Sequence, residues 1–229
     1  MKPPMPPPFR ALPDGKICDF IDQKVRNDTP EEYVRLDCQR AGRMSTDAEV
    51  LDLRVIRAPR HPGVSDAVCE AYSEAASVCL ARHHSPPSTP IQVTCADAES
   101  VRLLRWASPN DTARRSWRNR DDATRDAAYV VSLAVVEREL GLVALSRADT
   151  RTGADYYVGR PGLQDLEEAI RLEVSGVDEG DRTEIRRRLK GKVDQAARGH
   201  SFLPAYASVV GFREAMVLIS SPVEVPRDE

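Results

Sequence analysis

The segment Ile170-Arg-Leu-Glu-Val-Ser175 alternates apolar and polar residues with a period of two, the pattern of an extended strand with two unlike faces. Ile170, Leu172 and Val174 share one face, and Arg171, Glu173 and Ser175 share the other. A glutamate in mid-strand needs water or a partner. Eighteen residues upstream, Gly153-Ala-Asp155-Tyr-Tyr-Val158 reads as a second short strand carrying another acid. Paired as a hairpin, the two strands bring Asp155 and Glu173 together on a hard divalent cation such as Mg²⁺, which takes a few carboxylates and keeps several waters. The competing reading is a one-sided sheet from which Glu173 points to solvent.

The surrounding text supplies more elements. Apolar residues recur at helical spacing from Val64 to His84, with Ser65 as cap, and again from Asp122 to Leu140 and from Asp181 to Arg198. Ala48–Ala58, Ile91–Cys95, Leu142–Ala148, Ala205–Phe212 and Ala215–Val223 read as strands, while Ala98–Trp106 fits neither period cleanly. From residue 122 onward the order is helix, strand, strand, strand, helix, strand, strand. The expected fold class is therefore α/β, a mixed sheet flanked by helices. Asp126 and Glu137 lie on the Asp122–Leu140 helix where either can aim at the sheet.

Six prolines among the first 13 residues predict an extended leader. We divide the chain into a leader of residues 1–43 and one α/β domain of residues 44–229, with a junction near Met44, which is also a candidate true start.

Composition removes several function classes. At 41% hydrophobic and 30% charged residues the chain belongs with globular proteins, and no apolar run is long enough to span a membrane. The N-terminus lacks the apolar core of a signal peptide, so a cytoplasmic protein is expected. Five cysteines without Cys-x-x-Cys spacing, and four histidines that do not complement them, predict reduced thiols and no zinc site. His83 and His84 end a helix, where a cation complements the dipole. No Gly-x-x-x-x-Gly-Lys-Ser/Thr is present, which excludes an ATP-driven motor.

A net charge of −3 calls for no polyanionic partner, yet basic clusters exist locally. Arg114, Arg115 and Arg118 surround Trp117, a combination that clamps phosphates and stacks a base. A solvated helix with one aromatic tucked into the core is the alternative. Arg186, Arg187 and Arg188 form a second cluster, followed by Lys190 and Lys192.

Two resemblances follow from these residues. Asp14-Gly-Lys, Asp19-Phe-Ile-Asp22 and Thr29-Pro-Glu-Glu-Tyr-Val-Arg35 resemble the N-terminal segment of the motor subunit of type I restriction enzymes, over residues 12–35 only. Residues 120–223 resemble the PD-(D/E)XK nuclease superfamily, whose signature is an aspartate on one strand and Glu-x-Lys on the next. Asp155 matches the aspartate, Glu173 matches the glutamate, and Ser175 stands in place of the lysine. The resemblance implies a restriction-endonuclease-like core, Mg²⁺ held by Asp155 and Glu173, a replacement charge from Lys190 or Lys192 on the following helix, and a third carboxylate from Asp126 or Glu137. It also implies DNA as substrate, with the arginines at 114, 115, 118 and 186–188 along its backbone. The substitution at Ser175 keeps a second expectation open, an inert nuclease-fold scaffold that binds a partner subunit.

Overall fold

The computed structural model describes residues 50–56, 59–149, 152–163, 165–198, 201 and 203–221. The leader, the segment at 12–35, the Met44 junction, Cys18 and Cys38 lie outside the described residues. Eight strands form one mixed sheet: β1 (Val50–Asp52), β2 (Ser88–Cys95), β3 (Ala98–Arg105), β4 (Val143–Arg147), β5 (Tyr156–Gly159), β6 (Ile170–Val177), β7 (Ala205–Gly211) and β8 (Met216–Ile219). Among the described residues four α-helices accompany them: α1 (Asp66–Ala81), α2 (Asp111–Ser116), α3 (Arg120–Leu140) and α4 (Arg182–Ala197). The spatial order is β1-β3-β2-β8-β7-β6-β5-β4. Strands β4, β5 and β6 form an antiparallel meander, β7 joins β6 in parallel after α4, and β8 returns antiparallel to meet β2 in parallel. Among the described residues no helix is long and apolar enough to cross a membrane.

Local chemistry explains the elements. Ser65 caps α1 by accepting from the Val68 amide, and Asp181 caps α4 by accepting from Glu184. Helix α3 starts before the expected Asp122, capped by Asn119: its side-chain oxygen takes the amides of Asp121 and Asp122, which places both acids in the first turn, where the dipole favours them. Gly141 ends α3 at φ 67°, the left-handed conformation that glycine enters without cost. The ambiguous stretch at 98–106 is a strand, because β2 and β3 pair over their full length as a hairpin. The strand expected over residues 48–58 is only three residues long within the described part and turns into a short 3₁₀ segment at Leu53–Val55.

Helix α3 covers one face of the sheet and α1 packs on α3, in a core that includes Val131, Leu133 and Val135 of α3, and Leu172 and Val174 of β6. Helix α4 covers the other face through Ile185 and Leu189, packed on Val177, Val209 and Leu218. Every residue of β7 is buried, as expected of a central strand covered on both faces. Helix α3 approaches β6 so closely that a Cβ on Gly176 would lie 2.6 Å from the Thr124 carbonyl oxygen. A buried hydroxyl pair, Ser132 to Ser208 at 2.8 Å, ties the same helix to β7.

The C-cap of α1 is Arg82, and the histidine pair expected to complement the helix end lies beyond it and bonds across the fold. His83 pairs through Nε2 with Asp178, which follows β6, at 2.9 Å, and His84 Nε2 donates to the Phe212 carbonyl at 2.7 Å. Arg82 donates to the other Asp178 oxygen at 2.8 Å, so the end of α1 is pinned to the sheet. Cys69, Cys79 and Cys95 are free and buried. Burial pushes the Cys79 thiol up to about 12, which makes it a packing group and no nucleophile.

Candidate active site

Strand β6 is buried on both faces, so Glu173 does not point to solvent from a one-sided sheet. Its side chain is 5% exposed. The antiparallel register of β5 on β6 ends with Tyr156 opposite Leu172, and Asp155, one residue earlier, meets β6 at the Leu172 carbonyl and the Val174 amide. Asp155 immediately precedes β5 and is not inside it, yet its amide still donates to the Leu172 carbonyl at 2.8 Å.

The Asp155 carboxylate is held from two sides. Oδ1 accepts from the Tyr129 hydroxyl of α3 at 2.8 Å, and Oδ2 accepts from the Val174 amide at 2.8 Å. Burial, then the charge of Asp155, raises the Tyr129 pKa well above the ordinary phenol range, so this hydroxyl remains a donor.

Glu173 is met from the opposite side by α4. Lys192 Nζ donates to Oε1 at 2.6 Å, and Gln195 Nε2 donates to the same oxygen at 2.8 Å. Lys192 also donates to Gln195 Oε1 at 3.0 Å, closing a triangle. Both bonds to the carboxylate fall on Oε1, and Oε2 is the oxygen they leave to a ligand. Burial first, and the Asp155 charge second, push the Glu173 pKa above the ordinary glutamate range, with Lys192 opposing.

Arg171 lies two residues before Glu173 on the same face and is fully buried. Its Nε and Nη1 donate to the Leu203 and Thr152 carbonyls, and its Nη2 is a buried donor without a partner among the described residues. Burial lowers its pKa, while Tyr157 and Glu173 act in the opposite direction.

Of the residues expected from the sequence, Lys192 bonds directly to Glu173, and Asp155 lies close enough for its charge to act on Glu173. Ser175 follows on β6 and is partly exposed, while Lys190 lies on the exposed side of α4. The third carboxylate does not join. Asp126 accepts from its neighbour Arg125 at 2.8 Å, and Glu137 is taken by the loop before α1, accepting from Arg60 Nε at 2.8 Å and from His61 Nε2 at 3.1 Å. His61 Nδ1 accepts the Ala144 amide, which leaves Nε2 to carry the proton. Among the described residues no three histidine, cysteine, aspartate or glutamate side chains gather as a metal cage. Two carboxylates suit a cation that keeps most of its waters and shares substrate oxygens, as magnesium does, and do not suit one that needs an all-protein shell.

The arginines at 114, 115 and 118, and those at 186, 187 and 188, are exposed. Trp117 is not an open stacking platform: its ring packs against the core and its indole Nε1 donates to Glu74 at 2.9 Å. Sequence reasoning missed Tyr129, Arg147, Gln195 and Arg171. Tyr129, on a buried helix, was indistinguishable from core, but Gln195, three residues after Lys192, was readable as the same helix flank.

No protein family, no curated protein and no solved structure matches this chain.

Proposed function

We propose that the chain is a magnesium-dependent phosphodiester hydrolase acting on DNA, built on a restriction-endonuclease-like core at residues 120–223. The observation that carries this reading is Lys192 at 2.6 Å from Glu173, beside Asp155, in a protein whose β6 lacks the lysine two residues on. The succession α3-β4-β5-β6-α4-β7, with an antiparallel meander followed by a parallel strand, supports it.

In this reading Asp155 and Glu173 hold the cation, and Tyr129 and the Val174 amide fix the angle at which Asp155 presents its oxygens. Bound magnesium would supply Lewis-acid polarisation of the phosphate and a more acidic attacking water. Lys192 supplies the fixed positive charge that offsets charge building on the phosphate oxygens, and Gln195 keeps its ammonium directed at the site. Water adds to phosphorus, one P–O ester bond breaks, and the leaving oxygen takes up a proton. The exposed arginines of α2 and α4 meet the backbone, so binding weakens steeply with salt. With the segment at 12–35, this reading places the chain in a bacterial restriction or defence system.

A second reading is an inert scaffold for a partner subunit. It draws on Ser175 and on the fact that Lys192, Gln195 and Glu173 already satisfy one another. The experiment that separates the two is incubation of DNA with the full chain in Mg²⁺ or in chelator. Strand scission that needs Mg²⁺ and disappears in the Asp155→Ala, Glu173→Ala double variant supports the hydrolase; scission that survives both changes sinks it.

A further inference from the structure

Next to Asp155, on the α3 side of the sheet, three tyrosines from three elements converge on one guanidinium. Arg147 closes β4, Tyr72 comes from α1, Tyr129 from α3, and Tyr156 opens β5. The Arg147 guanidinium carbon lies 4.3 Å from the centre of the Tyr129 ring and 4.7 Å from that of Tyr156. Nη1 donates to the Tyr72 hydroxyl at 3.1 Å and Nη2 to the Tyr129 hydroxyl at 2.9 Å. The cage is itself tied together, since the Tyr156 hydroxyl donates to Tyr72 at 3.1 Å and the Tyr72 and Tyr129 rings are 5.2 Å apart.

This arginine differs from those on the outer faces of α2 and α4. Its plane is fixed before any ligand arrives, so little rotamer freedom remains to be lost on binding. Its side chain is nevertheless 47% exposed. The hydroxyls of Tyr72 and Tyr129, with a further interaction from Tyr156, engage about three of its five N–H donors. Its Nη2 forms a long ion pair with Asp155 Oδ1 at 3.8 Å, beyond hydrogen-bonding distance, and that oxygen is already served by Tyr129. A planar, preorganised, half-exposed fork without a carboxylate in hydrogen-bonding contact fits a tetrahedral oxyanion, which supplies paired acceptor oxygens of opposite charge. Its distance from Asp155 means that any phosphate presented to Asp155 has Arg147 within one side chain's reach.

We propose that Arg147, held by Tyr72, Tyr129 and Tyr156, is a positioning residue that grips one backbone phosphate of the bound DNA strand and so selects which phosphodiester meets Asp155 and Glu173. This rests on the hydrolase reading. Because Tyr129 contacts both Arg147 and Asp155, phosphate capture and orientation of the metal-binding acid share one hydroxyl.

The test is a coupling measurement on the full chain. Binding of a short labelled duplex is followed in Ca²⁺, with a single neutral methylphosphonate stepped along one strand. The wild type is expected to lose about tenfold in affinity at one position, and Arg147→Gln to lose about as much on unmodified DNA, with a salt slope shallower by about one. At that same position the variant should lose nothing further. Additive losses at every position, an Arg147→Gln affinity equal to wild type, or a wild type that binds no duplex overturns the proposal. If Arg147→Gln melts early, Arg147→Lys carries the same test: it keeps the charge, and the expectation is a retained salt slope with the cleavage position blurred. Mg²⁺-dependent cleavage without the coupling overturns the Arg147 assignment alone; coupling without cleavage overturns the hydrolase alone.

Discussion

Lys192 of α4 donates to Glu173 of β6 across 2.6 Å, and the same carboxylate is flanked in sequence by Ser175, which carries no charge. In the proposed hydrolase the cation that β6 lacks is provided from the helix packed on it. Removing it should affect chemistry more than binding. Lys192→Met is expected to lower kcat by about 10²- to 10³-fold with little change in KM, the magnitude typical of one electrostatic donor in a transition state. Lys190→Met, on the exposed side, should stay within a few fold of wild type. Single-turnover cleavage rates check both, and equal effects of the two changes would remove Lys192 from the site.

Glu137 is expected to act on stability and not on cleavage. Burial alone would raise its pKa, but hydrogen bonds from His61 and Arg60 outweigh it and hold the value below the ordinary glutamate range. A carboxylate with a lowered folded-state pKa adds stability above its unfolded pKa and loses it as pH falls through the folded value. Glu137→Gln should therefore lower Tm at neutral pH, flatten the acid limb of the stability curve, and leave Mg²⁺-dependent cleavage in place. Thermal melts across acid and neutral pH check this.

Two glycines should respond in opposite directions. In Gly176→Ala the added carbon meets the Thr124 backbone oxygen at 2.6 Å, and backbone cannot rotate away, so α3 must lift from β6 at about 1–3 kcal/mol. At Gly191, inside α4, an added carbon meets nothing within 4 Å, so Gly191→Ala should stabilise by about 0.5–1 kcal/mol. Urea unfolding of the two variants measures the contrast.

The part of the fold from α3 to β8 was legible because its hydrophobic period switches cleanly between helix and strand. Asp155 and Glu173 stood out because acids are unusual in such strands. The eight-stranded sheet was not legible, since the parallel contact of β2 with β8 joins residues more than a hundred positions apart and leaves no local trace. The helical face of α3 showed that Glu137 could turn inward, but its partners, Arg60 and His61, come from a loop whose position depends on β4: the Gly63 amide donates to Ala144 at 2.9 Å. Tyr72, Tyr129 and Tyr156 carry apolar bodies with polar tips, so they read as core until their hydroxyls are seen to meet Arg147. Trp117 misled in the other direction, because an aromatic among arginines has the same composition whether it faces solvent or packs inward.

The central claim is that Asp155 and Glu173 share one divalent cation, and the raised proton affinity of Glu173 makes this directly measurable. Burial and the Asp155 charge raise the proton affinity of Glu173, and a bound cation needs the carboxylate ionised, so binding is expected to release a proton at mildly acid pH. Calorimetric titration with Mg²⁺ or Mn²⁺ in two buffers of different ionisation enthalpy counts the protons released. The expected result is binding in the micromolar to millimolar range with net proton release at mildly acid pH, weakened by Asp155→Asn and stripped of its proton release by Glu173→Gln. Cation binding that is unchanged in both variants, or no binding by the wild type, would contradict the account.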